Sequence, residues 1–239
     1  MLGIVVRQLT MSKERGAWLS TIPATVNGTE LSAIEFCDRL HQGYNKNPPD
    51  MCSKCDGCGA KFTLAHALGC RKGGLIILRH DEIKDELAEL LSQALIPSAV
   101  RDEPSIQPGP RVTRGAKTPE NQSGSEATST EKSERRGDLL VRGLWERSKH
   151  CVIDVRVSDV NQPSYILKCP KKVLAMAEKE KKKKHLKDCH EQRKDFPPFV
   201  VSVDGLLGKD AQMLLKKISA FLAAKWGRPY SQTAAYVNA

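Results

Sequence analysis

The sequence predicts an α/β chain in which one mixed sheet is flanked by helices and preceded by a small metal clip. Three observations predict it. Helical and strand periodicities follow one another as helix, strand, linker, strand, strand, helix, strand, helix, an order that one sheet covered by helices accommodates better than two separate domains. Four of the eight cysteines fall between Cys52 and Cys70. Hydrophobic residues make up 40% of the 239 positions and aromatics 5%, enough for one modest core.

From Leu2 to about Asp50 the chain reads as a connector of loops and short helices, with "LSAIEFCDRLHQGY" as the clearest helix. After the cysteine-rich stretch 51–74, "RHDEIKDELAELLSQAL" sets Ile83, Leu87, Leu90, Leu91, Ala94 and Leu95 at helical spacing, and Pro97 ends it. "AVRDEPSIQ" predicts a short strand. Residues 107–135 are polar, rich in Ser, Thr, Gly and Pro, and nearly empty of core side chains, as expected of a disordered insertion. "GDLLVRGLW" and "HCVIDVRVSDV" are β-branched runs joined by "ERSK", a hairpin signal. A long basic helix ("KKVLAMAEKEKKKKHLKDCHEQRK"), a buried strand ("PFVVSVDGLLG") and an amphipathic helix ("KDAQMLLKKISAFLAAKWG") complete the order. The core thus spans 80–106 and 136–226, and 227–239 reads as a flexible tail.

The clip has its own chemistry. Cys55 and Cys58 form C-x2-C, and His66 and Cys70 form H-x3-C seven residues later. Tetrahedral zinc takes four nitrogen or sulfur donors, which short loops bring together at such spacings. Gly57 and Gly59 permit a tight turn around Cys58, and "TLAHALGC" is a helix former that puts His66 and Cys70 on one face. Cys52 is a rival to Cys58, because Cys52 and Cys55 are also C-x2-C; the glycine after Cys58 favours Cys58. A site closed by four protein ligands is structural rather than catalytic. In a reducing compartment such clustering indicates metal, whereas in a secreted protein it would indicate disulfides.

The formal net charge is +10, which points to a polyanionic partner, nucleic acid ahead of anionic membrane. No stretch approaches the roughly 18–20 apolar residues that span a bilayer, and the chain reads as soluble and intracellular. Two acidic residues stand out. Asp138 opens the first hairpin strand, and Asp154 lies among Val152, Ile153, Val155 and Val157. A carboxylate in such company is costly unless it is paired, hydrogen-bonded or metal-bound. Two carboxylates on neighbouring strands suit Mg²⁺, which takes oxygen ligands and keeps several waters; an Asp154 ion pair with Arg or Lys is the equal alternative. The lysines from Lys179 to Lys187 read as a DNA-tracking surface, a solvated helical face or a nuclear-import signal.

Taken in order, the clip, the amphipathic helix, the Asp–hairpin–Asp unit and the lysine-rich helix resemble the restriction-like endonuclease region of site-specific non-LTR retrotransposon polyproteins. The resemblance covers about Cys52 to Trp226. It implies a CCHC zinc knuckle followed by a PD-(D/E)xK-type core of αβββαβ order, with Zn²⁺ structural and Mg²⁺ catalytic. It implies a DNA endonuclease that nicks its target so that the freed 3′ end primes reverse transcription, acting in the nucleus with DNA, retroelement RNA or a reverse transcriptase as partners. Cys55, Cys58, His66 and Cys70 match the zinc ligands, Asp138 and Asp154 the Mg²⁺ ligands, and Glu103 in "RDEPSI" lies on the first core strand within reach of that metal. The family's lysine lies on the following helix as K-x-x-Y, which assigns Lys182, with Lys181 as its near equal and His185 at the tyrosine position. Lys72, Arg156, Lys181, Lys183 and Lys184 are the expected DNA contacts. Gly137 stands where the family has proline, and Arg156, where related nucleases keep lysine, can bind phosphate but not act as a base. The second reading is a catalytically inactive, zinc-containing nucleic-acid-binding fragment of a degenerate retroelement.

Overall fold

A computed structural model describes residues 30–44, 46–102, 104–106, 136–162 and 164–238. The expected insertion 107–135, most of the connector, and Glu103 lie outside the described residues.

Helix α1 (Ala33–Gly43) starts at a capping box: the Ser32 hydroxyl accepts from Glu35 N–H while the Glu35 carboxylate accepts from Ser32 N–H. The clip carries a short helix, α2 (Leu64–Gly69), whose N-cap Thr63 accepts from His66 N–H. A single 3₁₀ turn (Lys72–Gly74) leads into α3 (Leu75–Ala94), one turn longer at its start than the heptad-like spacing predicts. Lys225 Nζ donates to the Gln93 and Leu95 carbonyls, which the end of α3 leaves without intrahelical partners.

The strands are β1 (Val100–Asp102), β2 (Leu139–Arg142), β3 (His150–Ile153), β4 (Val155–Ser158), β5 (Lys194–Asp195) and β6 (Phe199–Ser202). The helices that follow β4 are α4 (Pro170–Glu191), α5 (Lys209–Trp226) and α6 (Tyr230–Val237). The expected hairpin is present: β2 and β3 are antiparallel, with Leu139 opposite Ile153 and Val141 opposite Cys151. β1 adds antiparallel to β2, and β5 parallel to β3. The run "CVIDVRV" is not one uninterrupted strand. At Asp154 it leaves β2 and β5, and its second half, β4, pairs in parallel with β6.

Alternation sorts the side chains onto two faces. Leu139, Val141, Cys151, Ile153, Val155, Phe199 and Val201 pack with Leu87 and Leu91 of α3 and Leu214, Ile218 and Leu222 of α5 in the main core. On the other face, Val200 packs with Val173, Leu174 and Ala177 of α4. Val152 meets Cys189 and Phe196 there. The chain is therefore a mixed α/β structure with a mixed sheet, with α4 covering the face toward which Asp154 turns. Residues 227–239, expected as a flexible tail, instead hold α6, whose Thr233 and Val237 are buried and whose Tyr236 ring meets Trp226 edge-on. A short polar helix with one apolar stripe gives little periodic signal, and only its docking against α5 reveals it.

No helix among the described residues is long and apolar enough to cross a membrane.

Candidate functional site

Cys55, Cys58, His66 and Cys70 bring one ligand atom each to within 4.8 Å of one another. The backbone shapes this group. Cys55 N–H donates to Ala60 O, Gly59 N–H donates to Cys55 O, and Gly59 has φ +71°, a left-handed turn that a Cβ would strain. A Cβ at Gly57 would press on Lys72 at 3.0 Å, so Gly57 is what lets the turn approach the 3₁₀ segment. The Cys55 and Cys70 sulfurs lie 3.8 Å apart, those of Cys70 and Cys58 3.9 Å apart, and Cys58 Sγ is 3.2 Å from His66 Nε2. Sulfurs bound to one tetrahedral zinc stand about 3.7 Å apart, whereas a disulfide needs about 2 Å. The Cys58 N–H and the His66 ring lower the Cys55 thiol to about 6, favouring the thiolate a metal requires. The donor set is compatible with zinc. Cys52 is exposed and outside this group, and Arg79 ties the clip to α3 by donating to Leu68 O.

The second cluster sits where β3 passes into β4. Because the chain leaves β2 at Asp154, the Val155 N–H loses its ladder partner, and Asp138 Oδ2 accepts it at 2.6 Å. Asp138 N–H in turn donates to Ile153 O, and Phe199 N–H to Asp154 O. These bonds hold the two carboxyl groups close enough for the Asp154 charge to act on Asp138. Burial raises the Asp138 carboxyl above the usual carboxylate range, and the neighbouring Asp154 charge pushes the same way. Val155 N–H and His80 oppose it.

Lysine 181, not Lys182, reaches this pair. Lys181 Nζ is 2.8 Å from Asp154 Oδ2, a charge contact rather than an aligned hydrogen bond, since that oxygen takes no hydrogen bond by angle. His185, one helical turn on, lies on the same face with Nε2 3.7 Å from the same oxygen, its ring tilted against Phe196. Lys182 turns instead to Asp210 at the start of α5, 2.6 Å away. There Glu178 Oε1 accepts from Asp210 N–H, supplying the N-terminal cap that Gly208 has no side chain to give. Of the two near-equal lysines of the run, helix phase against the sheet turns Lys181 toward Asp154 and Lys182 toward Asp210.

Arg156, expected to face phosphate, pairs with Glu180 of α4 at 2.6 Å. Lys183, Lys184 and Lys72 are exposed. Glu103 lies outside the described residues. Sequence reasoning missed His80: on α3, it brings Nε2 to 3.4 Å from Asp138 Oδ2 and Nδ1 to 3.1 Å from Asp81 Oδ1. Nothing in its local pattern marks it, because the partner lies across the fold. Among the described residues the cysteine–histidine set is the group in which three or more ligating side chains close within 4.8 Å; His80, Asp138 and Asp154 form a chain of pairwise contacts.

No protein-family model matches this sequence, and no curated protein does.

Proposed function

We propose that this chain is a DNA endonuclease domain of retrotransposon type, a zinc knuckle joined to a restriction-like core that nicks target DNA in the nucleus and leaves a 3′ end for a reverse transcriptase. The observation that carries it is the meeting, at one fork in the sheet, of the Asp138 and Asp154 carboxyls with Lys181 Nζ, 2.8 Å from Asp154. The order helix, three antiparallel strands, helix, parallel strand supports the restriction-like reading, with α3, β1 to β3 (the last running on into β4), α4 and β6 in those places.

Asp138 and Asp154 offer adjacent carboxylate oxygens, a donor type that fits Mg²⁺. A divalent ion bound there supplies polarisation of the phosphodiester and acidification of the attacking water. The residues supply the rest. The Val155 N–H fixes the Asp138 carboxylate in place. Lys181 offers an ammonium to orient the water and to hold a non-bridging phosphate oxygen as negative charge grows on it. Water adds to phosphorus as the bond to the 3′ oxygen breaks, leaving a 5′-phosphate and a 3′-hydroxyl. Exposed Lys72, Lys183 and Lys184 hold the DNA backbone, with zinc stapling the knuckle that carries Lys72.

The test is nicking of long duplex DNA by the purified full chain. Mg²⁺-dependent nicking that Asp154→Ala and Lys181→Met abolish and Lys182→Met leaves largely intact is the expected result. Salt-sensitive DNA binding with no divalent-dependent cleavage would replace the enzyme by a zinc-stapled DNA-binding module.

A further inference from the structure

The geometry points to a further ligand site on this chain, a cavity that takes a nucleoside phosphate, either free or at the end of a nucleic-acid strand. The cavity measures about 860 Å³, inside the range of roughly 300–1,000 Å³ usual for small-molecule sites. It opens between α1, α3, the turn after β6, α5 and α6. Its floor is apolar, with Phe199, Val201, Leu215 and Val237 buried there. Its walls carry Arg39 of α1, Arg79 of α3, Lys171 of α4 and Lys216 of α5, and no carboxylate among the described residues that line it. A cleft walled by one sign of charge over an apolar floor concentrates anions. The four cations come from four helices, so only the closed fold assembles them.

Both guanidiniums are positioned by neighbours. Helix α1 buries no residue of its own, yet Gln42 Nε2 donates to Val203 O at 3.2 Å, and Gln42 Oε1 accepts from Arg39 Nη1 at 2.5 Å. Gly205, at φ +86°, lets the turn pass close beneath: a Cβ there would stand 3.4 Å from Arg39 Nη2. Asp204 of the same turn attracts Arg39, but its carboxylate also accepts from Ser202 Oγ and Asn161 Nδ2. Arg79 donates one N–H to Leu68 O, out of the several a guanidinium carries. Guanidinium forks match the oxygens of a phosphate, and four cations suit a ligand with two or more negative charges. Tyr230, 48% exposed at the rim, adds an aromatic ring on which a base can stack. An acidic peptide answers the cations alone; a nucleotide answers cations, ring and floor together.

The experiment is calorimetric titration of the zinc-loaded full chain, at physiological ionic strength, with dTTP, with a 5′-phosphorylated thymidine tetranucleotide and with pyrophosphate. At least one of the two nucleotide probes is expected to bind with a Kd below about 1 mM. Lys216→Gln, at an exposed position, should weaken that nucleotide and pyrophosphate alike by about fivefold or more. Tyr230→Leu should weaken the nucleotide by a similar factor and leave pyrophosphate within about twofold, a split that general unfolding does not produce. Asp154→Ala should bind the nucleotide as the wild type does, because the cavity does not depend on the nicking site. Tighter binding of the tetranucleotide identifies a strand end as the source of the ligand, and tighter binding of dTTP a free nucleotide. No binding of either nucleotide, binding that neither cavity variant weakens, or equal displacement by an oligoglutamate peptide overturns the inference and leaves the nicking reading standing.

Discussion

Replacing Lys181 by methionine keeps most of the side chain's volume and removes its charge from beside Asp154. At 2.8 Å, with an effective dielectric constant of about 20, the attraction between unit charges is about 6 kcal/mol before desolvation is subtracted. Breaking a fully buried ion pair costs about 3–5 kcal/mol. Here the lysine side chain is 20% exposed and the aspartate 8%, so water reaches the cationic end. The expected cost of Lys181→Met is therefore about 2 kcal/mol, or about 4–8 °C in Tm for a chain of this size. Lys182→Met should cost under about 1 kcal/mol, because the Lys182 side chain is 39% exposed. The assay is urea unfolding at neutral pH in a double-mutant cycle with Asp154→Asn, where Lys181→Met should lose most of its effect and leave a coupling of about 1–2 kcal/mol. Equal costs for the two lysines, or an undiminished cost in the Asp154→Asn background, would refute the assignment of Lys181 to Asp154.

Three further outcomes are expected. Gly137→Pro, which restores the residue of the resembled family, should cost about 2–4 kcal/mol: a Cβ there would meet Val152 Cγ1 at 2.5 Å, and proline would remove the N–H that Gly137 donates to Pro104 O. Gly137→Ala isolates the clash, and adding Val152→Ala should recover much of it; no recovery would argue against steric crowding. Purified protein should carry one zinc, kept by Cys52→Ser and lost by Cys58→Ser, as metal analysis would show. Burial raises the Glu178 carboxyl above 4.5, so the folded chain holds that proton more tightly than the unfolded chain. Stability from this group is greatest below the unfolded value and falls as pH rises toward the folded one. Glu178→Gln, which keeps an oxygen for Asp210 N–H, should gain on the wild type as pH rises above 4.5; urea midpoints that run parallel as pH rises would contradict this.

The clip was legible in the sequence down to the choice of Cys58 over Cys52, since its ligands fall within a short stretch and their spacing nearly determines their geometry. The hairpin, the strand Phe199–Ser202 and the helices on either side of it were equally legible, because apolar periodicity records which face each element buries. Asp154 announced itself as a carboxylate among β-branched residues. What met it did not. Choosing Lys181 over its neighbour depends on the rotation of α4 above the sheet, and His80 reaches Asp138 only because α3 packs across the fork. Arg156 took a helix glutamate as partner for the same reason. Local spacing determines contacts between residues a few positions apart; contacts between elements are decided by how their apolar faces dock, and that is settled only when the whole core closes.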